Sequence, residues 1–494
     1  MRVHIDKNMV KVQLELLEDL VQALKTKLRP KRPSKARGKR LYSPYFSPAL
    51  DLPYLPTEIW MLILREATSM SPDPLDVSLS FLERPCQLSE YYESMHNKQN
   101  MALVYLYEFV WISRASQAKA LALTLLTQFV EGKPSSGPHI RRLHMETPVL
   151  RRCATDDIHT ILTYAPHLVI YSDHHAVRCT RYSEFNDVRC SPEQMVSALA
   201  GSNSKLRRLS LTNYSDDPFP HHLSPMLQQS AANLEYLELS SSSIPLVSGH
   251  LLASSSSLMV SLPVLQSLKL TLDNTTFAVI ASWDMPALRN VSVVSSDFSY
   301  AGPGFAFFFR AHGHKLRQLE LGHSSSLIVE HNLTLPPRPV QLIPLADWCP
   351  NLKEFICSAD AEWNWRNPDW IAPHVLLPAH EHLEFIGIRD IDKRLLDDAS
   401  AFPADDDDTD DAPFFPLVEQ LSSLLYDQAF PSLRYIRDLS RASHSMRTGE
   451  RPQARIVKFW SRVLARCGER QVWLEDFRGV NITVRDLRRV GLVM

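Results

Sequence analysis

The chain has 494 residues and carries 53 lysines and arginines against 55 aspartates and glutamates. A charge balance this near zero excludes a protein whose whole surface is built for polyanions, and 14 glycines against 34 prolines leave little material for Gly-rich phosphate loops. Seven cysteines without a C-x-x-C pair imply free thiols in a reducing compartment.

The N-terminal "MRVHIDKNMVKVQ" has no apolar run fit for a signal peptide. No stretch reaches the roughly 18 unbroken apolar residues of a membrane helix. The expected address is cytoplasm, nucleus or both, and on that reading the N-x-[ST] matches at Asn213, Asn274, Asn290, Asn332 and Asn481 are chance.

Residues 1–28 predict an amphipathic helix. Val10, Leu14, Leu17, Val21, Leu24 and Leu28 follow one another in alternating steps of four and three, a coiled-coil seam. The seam is under three heptads long, which favours packing on the chain's own body over self-association. A basic linker over 29–52 follows, within a run at 25–40 of nine basic residues and no acidic one. It reads as solvated and disordered, or as a nuclear address or nucleic-acid-binding arm.

From 53 to 131 the chain is helical in character. In "LPTEIWMLILREA", Pro56 suits the first helical position and Glu58 the positive end of the dipole. Ile59 to Leu64 are then apolar without a break, a girdle where a surface helix needs only a stripe. Such a helix requires two partners. "NMALVYLYEFVWISRASQAKALALTLLTQFV" reads as two further helices, the last rich in Ala and Leu.

Over 138–494 one phrase returns: "IRRLHM", "LRRLSL", "LEYLEL", "LQSLKL", "LRNVSV", "LRQLEL", "LKEFIC", "LEFIGI" and, weakly, "LRYIRD". The template is L-x-x-φ-x-φ, with φ apolar. Positions four and six point the same way, the period of a strand. A strand-plus-helix unit cannot bury its own apolar edge, so successive units stack. The predicted fold is α/β, an irregular leucine-rich-repeat solenoid with parallel strands inside and helices outside. Leu209, Leu237, Leu268, Val291 and Leu319 should form one core stack. "ADDDDTDDA" at 404–412 is a solvated loop between units. "ARIVKFWSRVLARCGERQVWLEDF" is a closing amphipathic helix and strand, with Ile456, Phe459, Trp460, Val463 and Cys467 on one face.

Two sets of residues carry a resemblance. Leu55-Pro56, Glu58-Ile59 and Ile63, followed by "ALVYLYEFVWISRASQ", resemble the F-box, a three-helix module that docks on the Skp-type adaptor of cullin–RING ubiquitin ligases. "DDIHTILTYAPHLVIYSD", "FFRAHGHKLRQLEL", "CPNLKEFICSAD", "HEHLEFIGIRD" and "FPSLRYIRDL" are similar to phrases of F-box proteins with degenerate leucine-rich repeats from mushroom-forming fungi. The resemblance covers about residues 53–480. It implies a non-catalytic receptor that holds the adaptor, and through it a cullin, with Leu55, Pro56, Ile59, Ile63, Leu103, Val104 and Trp111, and holds a target protein with its repeats. Tyr105, Leu106 and Tyr107 stand where the family carries Cys or Ser with a basic residue.

Template positions three and five point away from the core. The candidate target-binding side chains among them are Arg208, Tyr236, Glu238, Lys269, Asn290, Gln318 and Glu320. This mixed polar row suits a protein partner better than nucleic acid, which needs basic side chains throughout. It suits the plain soluble face of an array nearly as well.

No G-x-x-x-x-G-K-[ST], G-x-S-x-G or H-E-x-x-H occurs, so no catalytic site and no cofactor are expected. "DHHAVRC", "HGH" and "HEH" hold metal-capable side chains without zinc-site spacing, and "HGHKL" reads as a turn before a strand. "WNWRNPDW" at 363–370 suits loop packing or partner contact. The competing reading of the chain is a repeat scaffold with a vestigial F-box and no ligase role.

Overall fold

A computed structural model describes residues 107–147, 153–174, 199, 205–213, 227–241, 260–271, 274–293, 303–322, 344–359, 376–400, 414–448 and 454–488. The expected heptad helix, basic linker, Leu55 helix, tryptophan cluster at 363–370 and acidic run at 404–412 lie outside these residues.

Every copy of the repeated phrase forms a strand. In chain order the elements are β1 (Phe109–Ile112), α1 (Ala115–Val130), β2 (Arg142–Glu146), α2 (Thr155–Tyr164), β3 (Ile170–His174), β4 (Arg208–Asn213), β5 (Tyr236–Ser241) and β6 (Ser267–Thr271). There follow α3 (Asn274–Ile280), β7 (Asn290–Val293), α4 (Pro303–His312), β8 (Gln318–Leu321), α5 (Leu345–Trp348), β9 (Glu354–Ser358) and β10 (Phe385–Arg389). The last are α6 (Ile391–Ser400), α7 (Phe415–Ser423), β11 (Tyr435–Asp438), α8 (Arg441–Thr448), α9 (Ala454–Glu469), β12 (Trp473–Glu475) and α10 (Val484–Arg488).

The 12 strands make one sheet whose spatial order is the chain order. Every neighbouring pair is parallel, and among the described residues the sheet does not close, since β1 and β12 are its edges. This is an open α/β solenoid, one strand per unit. Leu209, Leu237, Leu268, Val291 and Leu319 are in register on β4 to β8 and fully buried, as one stack. The stack continues through Leu143 and Tyr171 on one side and Phe355, Ile386, Ile436 and Leu474 on the other, none more than 3% exposed. Outside the sheet, Phe277 of α3 meets Phe308 of α4 edge-on at 5.3 Å between ring centroids, and Phe305 and Phe309 lie 4.4 Å apart.

The register is set just before each strand. The carbonyl at template position two accepts two N–H groups from the next unit: Arg207 O takes Glu235 N at 2.8 Å and Tyr236 N at 3.0 Å. Arg317 O takes Lys353 N and Glu354 N at 2.8 and 3.0 Å in the same way. The residue preceding the template adds side-chain bridges to the unit behind. His167 Nδ1 donates to Pro138 O at 3.1 Å, Lys315 Nζ to Met285 O at 3.2 Å, and Asn351 Nδ2 to His314 O at 2.7 Å. Each bridge satisfies a carbonyl of the preceding unit, and at Pro138 and Met285 the site is partly buried.

One expected boundary is corrected. The second helix of the F-box-like module should have run through "YEFVWIS", but Phe109–Ile112 is the edge strand β1, with Trp111 opposite His144 of β2. The aromatic and β-branched side chains of this stretch fit a pleated surface, and the edge of β2 supplies the backbone partners. The guanidinium of Arg142 sits 4.8 Å from the Phe109 ring centroid. Among the described residues the array therefore begins at Phe109, ahead of the expected 138. The Ala/Leu-rich helix α1, placed in the 53–131 module by its sequence, is the outer helix of the first unit and packs beside α2.

At the other end α9 buries Ile456, Phe459, Trp460, Val463 and Cys467, as its spacing predicts. It is followed by β12 and then by the unexpected short helix α10. Thr483 and Asp486 cap α10 reciprocally: Thr483 N donates to Asp486 Oδ2 at 2.9 Å and Asp486 N to Thr483 Oγ1 at 3.4 Å.

Candidate protein-interaction surface

Alternation along the strands sends positions three and five to the inner face of the sheet. All seven candidate target-binding residues lie there: Arg208 on β4, Tyr236 and Glu238 on β5, Lys269 on β6, Asn290 on β7, Gln318 and Glu320 on β8. Arg208 stands opposite Tyr236, Glu238 opposite Lys269, and Asn290 opposite Gln318.

These side chains are largely occupied with one another. The Arg208 guanidinium lies 3.8 Å from the Tyr236 ring centroid. Tyr236 Oη donates to Glu238 Oε2 at 3.3 Å, and Lys269 Nζ pairs with Glu238 Oε1 at 2.8 Å. Asn290 Nδ2 donates to Ser267 Oγ at 3.0 Å, Gln318 Nε2 to Glu354 Oε2 at 2.5 Å, and Ser292 Oγ to Glu320 Oε2 at 2.6 Å. Glu320 also holds Arg389, reaching across β9 to the unit after next. Tyr236, Glu238, Gln318 and Glu320 are buried. Burial, with the Glu238 carboxylate next to it, pushes the Tyr236 phenol far up, so it stays a hydrogen-bond donor. Tyr236, Ile356 and Leu439 form a small buried cluster of their own. This stretch of the inner face is a paired network of little net charge.

The face opens at its C-terminal end. Phe385, Tyr435 and Trp473 are in register on β10, β11 and β12, and their exposure rises from 7% to 38% to 56%. Arg437 Nε donates to Glu475 Oε2 at 2.8 Å beneath this ledge, and its guanidinium lies 5.0 Å from the Phe385 ring centroid. Tyr435 and Trp473 were not among the residues singled out from the sequence. Their signal is position three of "LRYIRD" and of "QVWLED", the same position that marks Arg208 and Tyr236.

The remaining candidates resolve as follows. Of the seven residues assigned to the adaptor, Leu55, Pro56, Ile59, Ile63, Leu103 and Val104 lie outside the described residues, and Trp111 is in β1. "HGH" is a turn before β8, with Gly313–Lys315 in a single 3-10 turn. His312 Nε2 donates to Ala281 O at 3.2 Å and Lys315 Nζ to His312 Nδ1 at 3.1 Å, so both ring nitrogens are used. Burial, reinforced by the Lys315 charge, pulls His312 down to about 4. In "HEH", His380 Nε2 donates to Cys349 O at 3.0 Å and His380 Nδ1 accepts His382 N at 3.2 Å. Past His174, "DHHAVRC" lies outside the described residues. Among the described residues no three metal-capable side chains gather, and no helix is long and apolar enough to cross a membrane. Cys153, Cys349, Cys357 and Cys467 are buried and in no disulfide, and burial pushes Cys153, Cys349 and Cys467 up to about 12.

No protein-family model and no curated protein matches the sequence. Among solved structures, the chain is similar to the leucine-rich repeat-containing protein LegL7 from Legionella pneumophila, at 14% identity over 80% of this chain and 95% of that one, with a TM-score of 0.32. A TM-score of that size carries no inference, and the solenoid architecture rests on the strand order and register described above.

Proposed function

We propose that the chain is a protein-binding solenoid that serves as the substrate-recognition subunit of a cullin–RING ubiquitin ligase. The observation that carries the binding role is the aromatic ledge of Tyr435 and Trp473, on the last two strands of a sheet whose inner face is closed over β4 to β8 by its own side chains. Exposed aromatics on a rigid backbone give large contact area at small entropic cost. The ligase role is supported by the F-box-like residues Leu55, Pro56, Ile59 and Ile63, whose apolar girdle needs a second cover. Ubiquitin transfer takes place elsewhere in such an assembly, and this chain contributes proximity and orientation.

The scaffold reading without a ligase role has one observation in its favour. Trp111, one of the residues assigned to the adaptor, is paired in the sheet. Co-purification of the full chain with a Skp-type adaptor separates the two. A stable complex supports the receptor, and failure of the wild type to bind the adaptor leaves the scaffold.

A further inference from the structure

Template position two lies at the edge of the sheet where the strands begin, and its backbone groups form an unbroken ladder. Gln266 N donates to Glu235 O, Arg289 N to Gln266 O, Arg317 N to Arg289 O, Lys353 N to Arg317 O, and Glu384 N to Lys353 O, all at 2.8 or 2.9 Å. The residues Glu235, Gln266, Arg289, Arg317, Lys353 and Glu384 therefore stand in one row, a strand spacing of about 4.8 Å apart. Three consecutive members are basic and exposed.

The ends of this tract are compensated and its middle is not. Glu235 is held by Arg207, with Nε and NH2 at 2.8 and 2.7 Å, and Lys353 reaches Glu384 at 2.7 Å. Arg289 and Arg317 have no ion-pair partner among the described residues. Like charges side by side on neighbouring strands repel, in a chain whose net charge is −2. Their juxtaposition is a site for an anion that the described residues do not supply.

We infer that Arg289, Arg317 and Lys353 form a docking row for an acidic peptide segment of a partner protein, running along the solenoid across the strand ends. The tract spans about 10 Å from Arg289 to Lys353. Same-face side chains of an extended peptide recur about every 6.7 Å, so two carboxylates at i and i+2 fit against three basic groups. A nucleic-acid strand needs a longer unpaired basic run than this, since the tract is followed by Gln266 and the paired Glu235 on one side and by the paired Glu384 on the other. The row is separate from the inner-face ledge, and its chemistry does not depend on adaptor binding.

The test is fluorescence anisotropy on the full chain without adaptor. The probes are a labelled decapeptide with glutamates at i and i+2, its glutamine twin, and a labelled decauridylate. The glutamate peptide should bind and weaken as salt rises, with the glutamine twin at least tenfold weaker. R289E/R317E should lose at least tenfold in affinity for the glutamate peptide. K119E/R466E makes the same change in net charge at exposed helix positions away from the row and should bind as wild type does. Thermal melts followed by circular dichroism check both variants, and R289Q/R317Q replaces the reversal should it not fold. The inference is overturned by any of four results: no saturable binding up to about 1 mM peptide, an unchanged affinity in the row variants, an equal loss in K119E/R466E, or tighter binding of the decauridylate than of the peptide.

Discussion

Leu237→Ala removes a side chain from the middle of the stack. Leu237 is fully buried, between Leu209 and Leu268, which are also fully buried and lie in register on either side. Leu→Ala in a core costs about 2–5 kcal/mol, the spread reflecting how far the surroundings collapse into the hole. Here collapse is opposed on both sides: the strand starts on β5 and β6 are tied to their predecessors by paired N–H donors to Arg207 O and Glu235 O. The loss should fall in the upper half of that range, about 4 kcal/mol. Because each unit touches only its neighbours, opening should spread first through β4 to β6. Urea unfolding followed by circular dichroism measures the loss, and amide exchange across Leu209–Leu270 locates it. Leu123→Ala, on the outer side of α1 where Leu123 is 42% exposed, is the control and should cost under about 1 kcal/mol. Equal costs for the two changes would refute the stacked core.

Two further outcomes follow from single sites. A Cβ on Gly313 would lie 2.4 Å from Trp348 O and 3.0 Å from Cys349 Sγ, while one on Gly468 in α9 meets nothing within 4 Å. Gly313→Ala should therefore destabilise by about 1–3 kcal/mol and Gly468→Ala stabilise by about 0.5–1 kcal/mol, with the reverse order in urea midpoints contradicting the packing. His312→Gln keeps an amide donor for Ala281 O but cannot titrate. His312 is held neutral, at about 4 against an ordinary 6.5, so its contribution is fully present above pH 6.5 and lost as pH falls toward 4. That contribution amounts to about 3 kcal/mol. Asp438, raised to about 6 by burial, acts in the opposite sense over an overlapping range, but equally in both proteins. The wild type should lose stability relative to the glutamine variant between pH 7 and 4, and a pH-independent difference would count against a buried neutral imidazole.

The strands whose phrases keep Leu at position one and an aliphatic at four and six were legible in the sequence, because burial leaves those positions little choice. β1, β3 and β12 were harder to read. In their registers Tyr107 and Gln471 occupy position one, and Asp173 and Asp476 occupy position six. Polar residues at a core position survive where a partner is built in. Tyr171 Oη donates to Asp173 Oδ2 at 3.2 Å, and Asp476 Oδ1 takes Arg478 N and Val480 N at 2.9 Å each. At position six of β11, Asp438 accepts Ser440 N at 2.9 Å and the Ser443 hydroxyl. Local pattern does not reveal such compensation: Asp476 and Asp438 are satisfied from the turn or helix that follows, and Asp173 by a tyrosine that itself stands at a core position. It also cannot reveal which inner-face groups meet: Arg389 reaches Glu320 from two strands away. The face itself was readable, while its closure over β4 to β8 and its opening at Tyr435 and Trp473 depend on the assembled array.

The central claim is that one chain joins a Skp-type adaptor to a recognition solenoid. The most direct measurement is a calorimetric titration of the adaptor into the full chain, wild type against Leu55→Ala/Pro56→Ala. An interfacial aliphatic side chain contributes about 1.5–3 kcal/mol when buried, so losing two should weaken binding about a hundredfold or more. Unfolding of the array should be unchanged, since Phe109–Glu475 stacks on its own neighbours. Saturable binding by the wild type with that loss in the double variant is the predicted result. Equal affinities, or no binding by the wild type, would contradict the account.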